Sequence, residues 1–349
     1  MQRVLLAMSG GVDSTAAAIL LCRAGYQVIG GTFVAFTPAG GLDADGCTPD
    51  AREAAQVCRA LGIEHHVFDF REQFRRDVMD YFAAEYDAGR TPNPCVACNK
   101  RIKFGAFLAE ADRLGCGLVA TGHYARVIRQ EGRFLVQRAR DHKKDQSYML
   151  WSLDQQQLGR VLLPLWELEK EEVRQIAAGC GLAAAHRAES QDICFIPDGD
   201  YAAFLQQHLG RDCPPGDFVD AEGRVLGRHR GIWHYTIGQR KGLGITFGKP
   251  MFVAAIDGAA GRIRLGEQEA LLSREVRLGQ VNYLIQPPRA PFEAVVRVRY
   301  SHAGQAAEVI PLADGGAQVL FREPVRAVTP GQSAVFYQGE LMVGGGIIL

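Results

Sequence analysis

Two hydrophobic periods alternate through the first 125 residues. Short apolar runs at Val4-Leu5-Leu6-Ala7-Met8, 26–34, His65-His66-Val67-Phe68-Asp69 and Leu118-Val119-Ala120-Thr121 read as strands, and apolar residues between them recur at helical spacing. The pattern predicts a strand at about 3–8, a helix at 14–24 stopped by Gly25, a strand at 26–34 and a Gly- and Asp-rich loop at 37–47. A helix at 49–61 ended by Gly62, a strand at 65–69 and a helix at 71–88 follow. After a break at Thr91-Pro92-Asn93-Pro94 come a helix at 100–114 and a strand at 118–121. This alternation predicts an α/β fold with a doubly wound parallel sheet, whose ligands sit at the carboxyl ends of the strands.

Beyond it, 126–138 reads as a hairpin around Glu131-Gly132, with helices at 155–163 and 170–179. From about Gly210 the chain is rich in Gly, Pro and β-branched residues in short alternating runs, as in Ala294–Tyr300 and Ala334–Tyr337. That pattern predicts one or two small β domains including a C-terminal β-barrel. The expected division is 1–200, 201–275 and 276–349, the last helped by the break at Pro287-Pro288-Arg289-Ala290-Pro291.

At 349 residues with 47% hydrophobic and 22% charged positions, the chain can build two or three cores. It has neither an apolar run long enough to span a membrane nor a signal-peptide pattern, so no membrane partner and a cytoplasmic location are expected. Net charge is zero, but 126–144 holds seven Lys/Arg against Glu131 and Asp141, and 224–249 holds six with no acid. Such stretches suit a phosphate backbone or a solvated surface equally. Nine cysteines in a reducing compartment are not a disulfide framework; Cys22, Cys58, Cys116 and Cys180, among alanines and leucines, read as small buried hydrophobes.

The first strand runs into Ser9-Gly10-Gly11-Val12-Asp13-Ser14 and then directly into a helix. A strand-to-helix turn of this kind offers free backbone N–H groups and a positive helix end to one point, and so forms an anion site. The glycines admit a phosphate closely, Ser9 and Ser14 can donate hydroxyl hydrogen bonds, and Asp13 can hold a magnesium ion. The lysine of the commoner triphosphate loop is absent; the segment instead resembles the pyrophosphate loop of enzymes that cleave ATP between its α and β phosphates.

Three further stretches carry chemistry. In Thr91-Pro92-Asn93-Pro94-Cys95-Val96-Ala97-Cys98-Asn99-Lys100, two prolines stiffen a loop expected to deliver Cys98 to a helix N-terminus near Lys100, Arg101 and Lys103, where its pKa would fall toward neutrality. Cys95-x-x-Cys98 alone suits metal and redox sites alike. Ser190-Gln191-Asp192-Ile193-Cys194-Phe195-Ile196-Pro197 surrounds one thiol with polar residues, leaving a structural and a functional Cys194 both open, and Lys144-Asp145-Gln146-Ser147-Tyr148 is a polar cluster after the basic hairpin.

Together with Ala120-Thr121-Gly122-His123-Tyr124, Gly238-Gln239-Arg240-Lys241-Gly242-Leu243-Gly244 and Pro330-Gly331-Gln332-Ser333-Ala334-Val335-Phe336-Tyr337, these motifs make the chain resemble the tRNA-specific 2-thiouridylases, in order from residue 4 to 348. The resemblance implies an adenine nucleotide α-hydrolase-like first domain and the conversion of the tRNA wobble uridine to 2-thiouridine. ATP would lie against Ala7, Met8, Ser9, Gly10, Gly11, Val12, Asp13, Ser14, Phe33 and Gly122 while the uridine C2 oxygen attacks its α-phosphate, with Mg2+ offsetting charge on the departing pyrophosphate. Cys194 matches the residue that carries sulfur as a persulfide, supplied by a donor protein or relay, and Cys98 matches the catalytic nucleophile. Cys98 would release that sulfur or close a transient Cys98–Cys194 disulfide once it has left.

For the tRNA anticodon arm and its flipped base, the resemblance points to Asn93, Pro94, Cys95, His123, Lys144, Asp145, Gln146, Arg299, Tyr300 and Gln332, the last three in the tRNA-contacting barrel. His123 also reads as a strand-end residue bonded to backbone, and Arg299 and Tyr300 as the outer face of a strand. Many relatives carry Asp, a candidate general acid/base, where this chain has Cys95. An alternative therefore makes Cys95, Cys98 and Cys194 ligands of an iron–sulfur cluster with one open iron site. An amide-forming synthetase would share the loop but need neither Cys98 nor Cys194, and a non-enzymatic tRNA-binding protein would not need the loop.

Overall fold

The computed structural model describes residues 1–37, 41–42, 47–179 and 193–349. Its first layer is a five-stranded, all-parallel sheet in the order β3-β2-β1-β4-β7, from β1 (Arg3–Ala7), β2 (Gln27–Val34), β3 (Glu64–Asp69), β4 (Leu118–Ala120) and β7 (Val161–Leu162). Successive side chains of a strand point to opposite faces. Val4 and Leu6 accordingly join the core made with helices α1 (Val12–Arg23) and α2 (Pro49–Ala60), while Leu5 joins Ile29, Phe107 and Ala111 on the other. This is the doubly wound α/β sheet expected from the hydrophobic pattern.

Three local expectations are corrected. The helix expected at 100–114 begins six residues earlier: Pro94 is its first residue, and the Asn93 side chain accepts hydrogen bonds from the N–H groups of Cys95 (3.1 Å) and Val96 (3.3 Å). Proline at the first helical position loses only an N–H that has no partner there, so Pro94 starts the helix instead of breaking the chain. That helix runs as Pro94–Cys98, a π-helical stretch Asn99–Ala106, and Phe107–Arg113. The helix expected at 155–163 stops after Gln155–Leu158, because Val161 and Leu162 pair with Val119 and Ala120 as the sheet's edge strand. Of the cysteines read as buried hydrophobes, Cys58 and Cys116 are buried but Cys22 is exposed; Cys180 lies outside the described residues.

Downstream, β8 (Gly216–Val219), β9 (Val225–His229), β10 (Phe252–Asp257) and β11 (Arg262–Gly266) form a small mixed sheet. The last six strands, β12 (Leu272–Tyr283) to β17 (Leu341–Ile348), close into a barrel through the β12–β17 pairing around Val296, Val309, Val319 and Phe336. The prolines at 287–291 fall in the loop from β12 to β13 (Phe292–Arg297), inside this barrel.

The expected hairpin, β5 (Ala125–Gln130) and β6 (Arg133–Arg138), turns at Glu131 and Gly132, both at positive φ, and pairs with β17 as an outer extension of the barrel sheet. Beside it the Asp145 carboxylate, 1% exposed, accepts from Arg138 Nε (3.3 Å), Arg297 Nη1 (3.4 Å), the Ser147 hydroxyl (3.0 Å) and two backbone N–H groups. Arg297 belongs to the barrel, so this buried cluster ties it to the first domain; Tyr148 and Trp151 add bonds to Ser333 at 2.9 Å each. Removing one partner leaves buried charge uncompensated. Asp145→Ala is therefore expected to lower stability by about 3–5 kcal/mol, read as a fall in the urea midpoint.

Candidate active site

At the carboxyl ends of β1, β2 and β4 lies one cavity of about 800 Å³. One end is the turn from β1 into α1, where Ala7, Met8, Ser9, Asp13 and Ser14 line it together with Phe33 and Gly122. Gly10 holds φ +74°, and a Cβ there would stand 2.7 Å from Glu53 Cβ and 2.9 Å from the Ala54 N. Gly11 is the extended residue before α1, and its carbonyl accepts from the Ser14 (3.0 Å) and Thr15 (2.9 Å) hydroxyls. Ser9 and Ser14 stand 3.3 Å apart through their hydroxyls. The result is an unblocked helix N-terminus with two hydroxyls beside it, the chemistry that holds a phosphate.

Asp13 carries an arrangement that no local sequence signal indicates. Its carboxylate accepts from Lys170 Nζ at 2.7 and 2.9 Å and from the Tyr124 hydroxyl at 2.7 Å. Lys170, 157 positions downstream, starts the helix Lys170–Ala178. Thr32 is likewise new to the site: its hydroxyl bonds Met8 O at 2.7 Å and His65 Nε2 at 2.9 Å, bracing the end of β1.

The other end is lined by Pro94, Cys95, Cys98, Lys103, His123, Gln146 and Cys194. Cys98 does not sit at a helix N-terminus; it is one turn in, and Cys95 occupies the first turn. Burial pushes the Cys98 thiol up to about 12, with Lys103 pulling the other way, so the expected lowered pKa is corrected: desolvation outweighs the cation. Burial likewise pushes Cys194 up to about 11 and raises Cys95. Both are open to solvent through the cavity yet backed by protein on their other sides. Buried His123 is held well below its usual range by desolvation and then by Lys103, and its Nδ1 lies 2.7 Å from the Thr121 hydroxyl, a side chain in place of the backbone partner considered above.

All three thiols share this cavity, and among the described residues no group of three Cys, His, Asp or Glu side chains is arranged to hold a metal ion, so the cluster alternative is not favoured. Ser190, Gln191 and Asp192, flanking Cys194 in the motif, lie outside the described residues.

The remaining tRNA candidates, Gln146 excepted, stand apart from the cavity lining. Asp145 is the buried interdomain carboxylate, with Lys144 beside it. The Gln146 side chain accepts from the Tyr124 N–H at 3.0 Å while reaching the cavity wall. Arg299, whose Nη1 donates to Arg326 O at 3.2 Å, and Tyr300, 37% exposed, follow the end of β13 on the barrel surface. Gln332 reaches back from the barrel and donates to Thr91 O (2.9 Å) and Pro92 O (3.4 Å), fastening the segment that Asn93 ends.

A nucleotide-type loop on a doubly wound sheet, opening into a thiol-lined cavity and followed by two β domains, defines a pyrophosphate-loop α/β protein. Three family models match in succession: tRNA methyl transferase HUP domain over 2–198, tRNA methyl transferase PRC-barrel domain over 202–267, and aminomethyltransferase beta-barrel domain over 273–348. The chain is 48% identical over 353 residues to the tRNA-specific 2-thiouridylase MnmA of Moorella thermoacetica, covering 99% of this chain and 98% of that protein. Its counterpart from Carboxydothermus hydrogenoformans is 45% identical over 355 residues (99% and 97%), and that from Clostridioides difficile 44% over 353 (99% and 98%). The chain belongs to the tRNA-specific 2-thiouridylase family.

Two outcomes follow from this geometry. Gly10→Ala puts an L residue at positive φ against the backbone of α2, a strain of about 1–2 kcal/mol before any clash, so ATP affinity should fall about tenfold or more by calorimetry. Because the thiols' pKa values are raised, their thiolates appear only at high pH. Alkylation of Cys98, followed by peptide mass spectrometry, should climb about tenfold per unit between pH 7 and 10 without the plateau that an unperturbed thiol (about 8.5) reaches.

Proposed function

We propose that this chain is an ATP-dependent tRNA-uridine 2-sulfurtransferase that converts the wobble uridine to 2-thiouridine. The observation that carries the reading is the single cavity with the phosphate loop at one end and Cys98 and Cys194 at the other. A uridine flipped into it would present its C2 oxygen to both chemistries.

ATP enters as substrate, its phosphates on the N–H groups of Gly10 to Val12 and the hydroxyls of Ser9 and Ser14, its adenine toward Phe33. The C2 oxygen forms a bond to the α-phosphorus and pyrophosphate leaves, N3 losing its proton. Magnesium carried with the triphosphate would offset charge on the leaving group. Asp13 alone does not build a metal site, since its oxygens already accept from Lys170 and Tyr124, and no step is assigned to a protein-held metal. Neutral His123, with Nδ1 beside Thr121, has Nε2 left to meet the base edge.

Cys194, loaded as a persulfide by a sulfur-donor protein, attacks C2 through its terminal sulfur, and AMP departs with the C2–O electron pair. The Cys98 thiolate then attacks Cys194 Sγ and the bond to the transferred sulfur breaks. That sulfur keeps the electron pair as the 2-thio group, while a proton returns to N3. A Cys98–Cys194 disulfide remains, which a dithiol reductant restores by two electrons, a requirement that suits the cytoplasm. Cys95 lines the base pocket as a small residue. The basic stretches at 126–144 and 224–249, with Arg299, Tyr300 and Gln332 on the barrel, would hold the anticodon arm through its phosphates and bases.

The test is an anaerobic assay with ATP, a persulfide donor and unmodified tRNA, with iron measured in each preparation. Cys98→Ser and Cys194→Ser should form no 2-thiouridine yet release pyrophosphate when tRNA is present, and Cys95→Ala should keep thiolation without iron. Activity that tracks bound iron and fails in all three variants overturns the reading, as does thiolation that survives loss of either Cys98 or Cys194.

A further inference from the structure

The thiols of this cavity share it with a cation that helix periodicity does not put there. An α-helix has 3.6 residues per turn, so a residue five positions on lies about 140° round the axis from where it started. Lys103 stands five after Cys98 and, on a regular α-helix, would face away from it. The segment Asn99–Ala106 is π-helical instead, with the Phe107 N–H donating to Ile102 O five residues back. A π-turn takes in an extra residue, which brings position i+5 onto the face of position i. Lys103 thereby lines the same wall as Cys95 and Cys98.

The irregular helix is also supported from outside. The Gln157 side-chain amide donates to Lys100 O (2.9 Å) and Phe104 O (2.6 Å), giving partners to carbonyls in the widened stretch. The side chain so placed makes no salt bridge among the described residues, in a chain where most other cavity charges are committed. Across the cavity, Asp13 is held by Lys170 and Tyr124, His123 is buried and uncharged, and Asp50 sits at the start of α2.

We propose that Lys103 is the cation that stabilises the sulfur anions of the transfer step, delivered by the π-turn to face Cys98 and Cys194. The assignment rests on the sulfurtransferase reading above and adds a residue to it. In that step negative charge passes from Cys98 Sγ to the transferred sulfur as one S–S bond forms and another breaks. A fixed positive charge in a poorly solvated pocket favours each anionic sulfur over its protonated form. The pull of Lys103 on Cys95, Cys98 and Cys194, opposing desolvation at each, agrees with this role.

Lys103→Met and Lys103→Arg test it without depending on turnover. In protein free of ATP and tRNA, Lys103→Met should move the pH profile of Cys98 alkylation upward, while Lys103→Arg keeps the parent profile. A weaker acid yields a stronger nucleophile, so each unit of upward shift should slow alkylation at pH 8 by about threefold and not tenfold. In single-turnover transfer from loaded Cys194, Lys103→Met should lose about tenfold or more in rate at pH 7.5, recover as pH rises, and be largely rescued by Lys103→Arg. Far-UV circular dichroism shows whether each variant is folded. If the parent protein makes no 2-thiouridine, the sulfurtransferase reading falls. If it does while the Lys103→Met alkylation profile superimposes on the parent's, the role of Lys103 falls.

Discussion

The side-chain oxygen of Asn93 decides where the site-bearing helix begins. By accepting from the N–H groups of Cys95 and Val96 it lets the helix start at Pro94, which puts Cys95 in the first turn and Cys98 in the second. A start six residues later would leave both cysteines in a loop, free of each other and of Lys103. The cap is itself fastened, because the barrel's Gln332 holds Thr91 and Pro92, and a side chain at Gly331 would collide with Thr91. The C-terminal domain thus reaches into the chemistry through the backbone of one short segment. It need not contribute a reacting group to matter.

Charge in the cavity is sparse and mostly spoken for. Asp13 is neutralised by Lys170, His123 is uncharged, and the thiols are held protonated by desolvation. A resting site of this kind keeps its nucleophiles quiet until a substrate brings its own charge and excludes water. The low polarisability that suppresses thiolates in the free protein also makes one well-placed cation count for more.

The joint between the first domain and the barrel follows the opposite rule. There Asp145 meets Arg138 and Arg297 with its oxygens fully hydrogen-bonded, and three tyrosine rings, Tyr148, Tyr300 and Tyr337, surround the Arg297 guanidinium. Buried charge so satisfied resists separation, and the hairpin strand β6 paired to β17 extends the joint across the backbone. Lys144-Asp145-Gln146 stood out in the sequence because it is polar after a basic run. Its middle member is a fastening between domains, and polarity alone does not distinguish that from a binding surface.

Strand and helix alternation, the glycine loop and the barrel were legible because each depends on residues close in sequence: periodicity for the sheet and helices, turn chemistry for Ser9 to Ser14 and for Glu131-Gly132. The ordered motifs also sufficed to indicate the family. Long-range geometry decided the rest. Pro94 is a local exception, a helix start and not a break because the adjacent Asn93 caps it, though the segment carrying that cap is fastened from the barrel by Gln332. The Cys98 pKa is not legible locally, because a string of lysines and an arginine shows nearby charge but not the burial that outweighs it. The edge strand Val161–Leu162 exists only because β4 lies beside it, and the partners of Asp13 are separated from it by 111 and 157 positions. Lys103 reads as near Cys98 from sequence proximity alone, but a period of 3.6 points it away and a π-turn, stabilised by Gln157 from another element, turns it back. Local propensity and pattern are properties of the chain; desolvation, cross-element hydrogen bonds and departures from ideal helix pitch come into being only when distant segments pack.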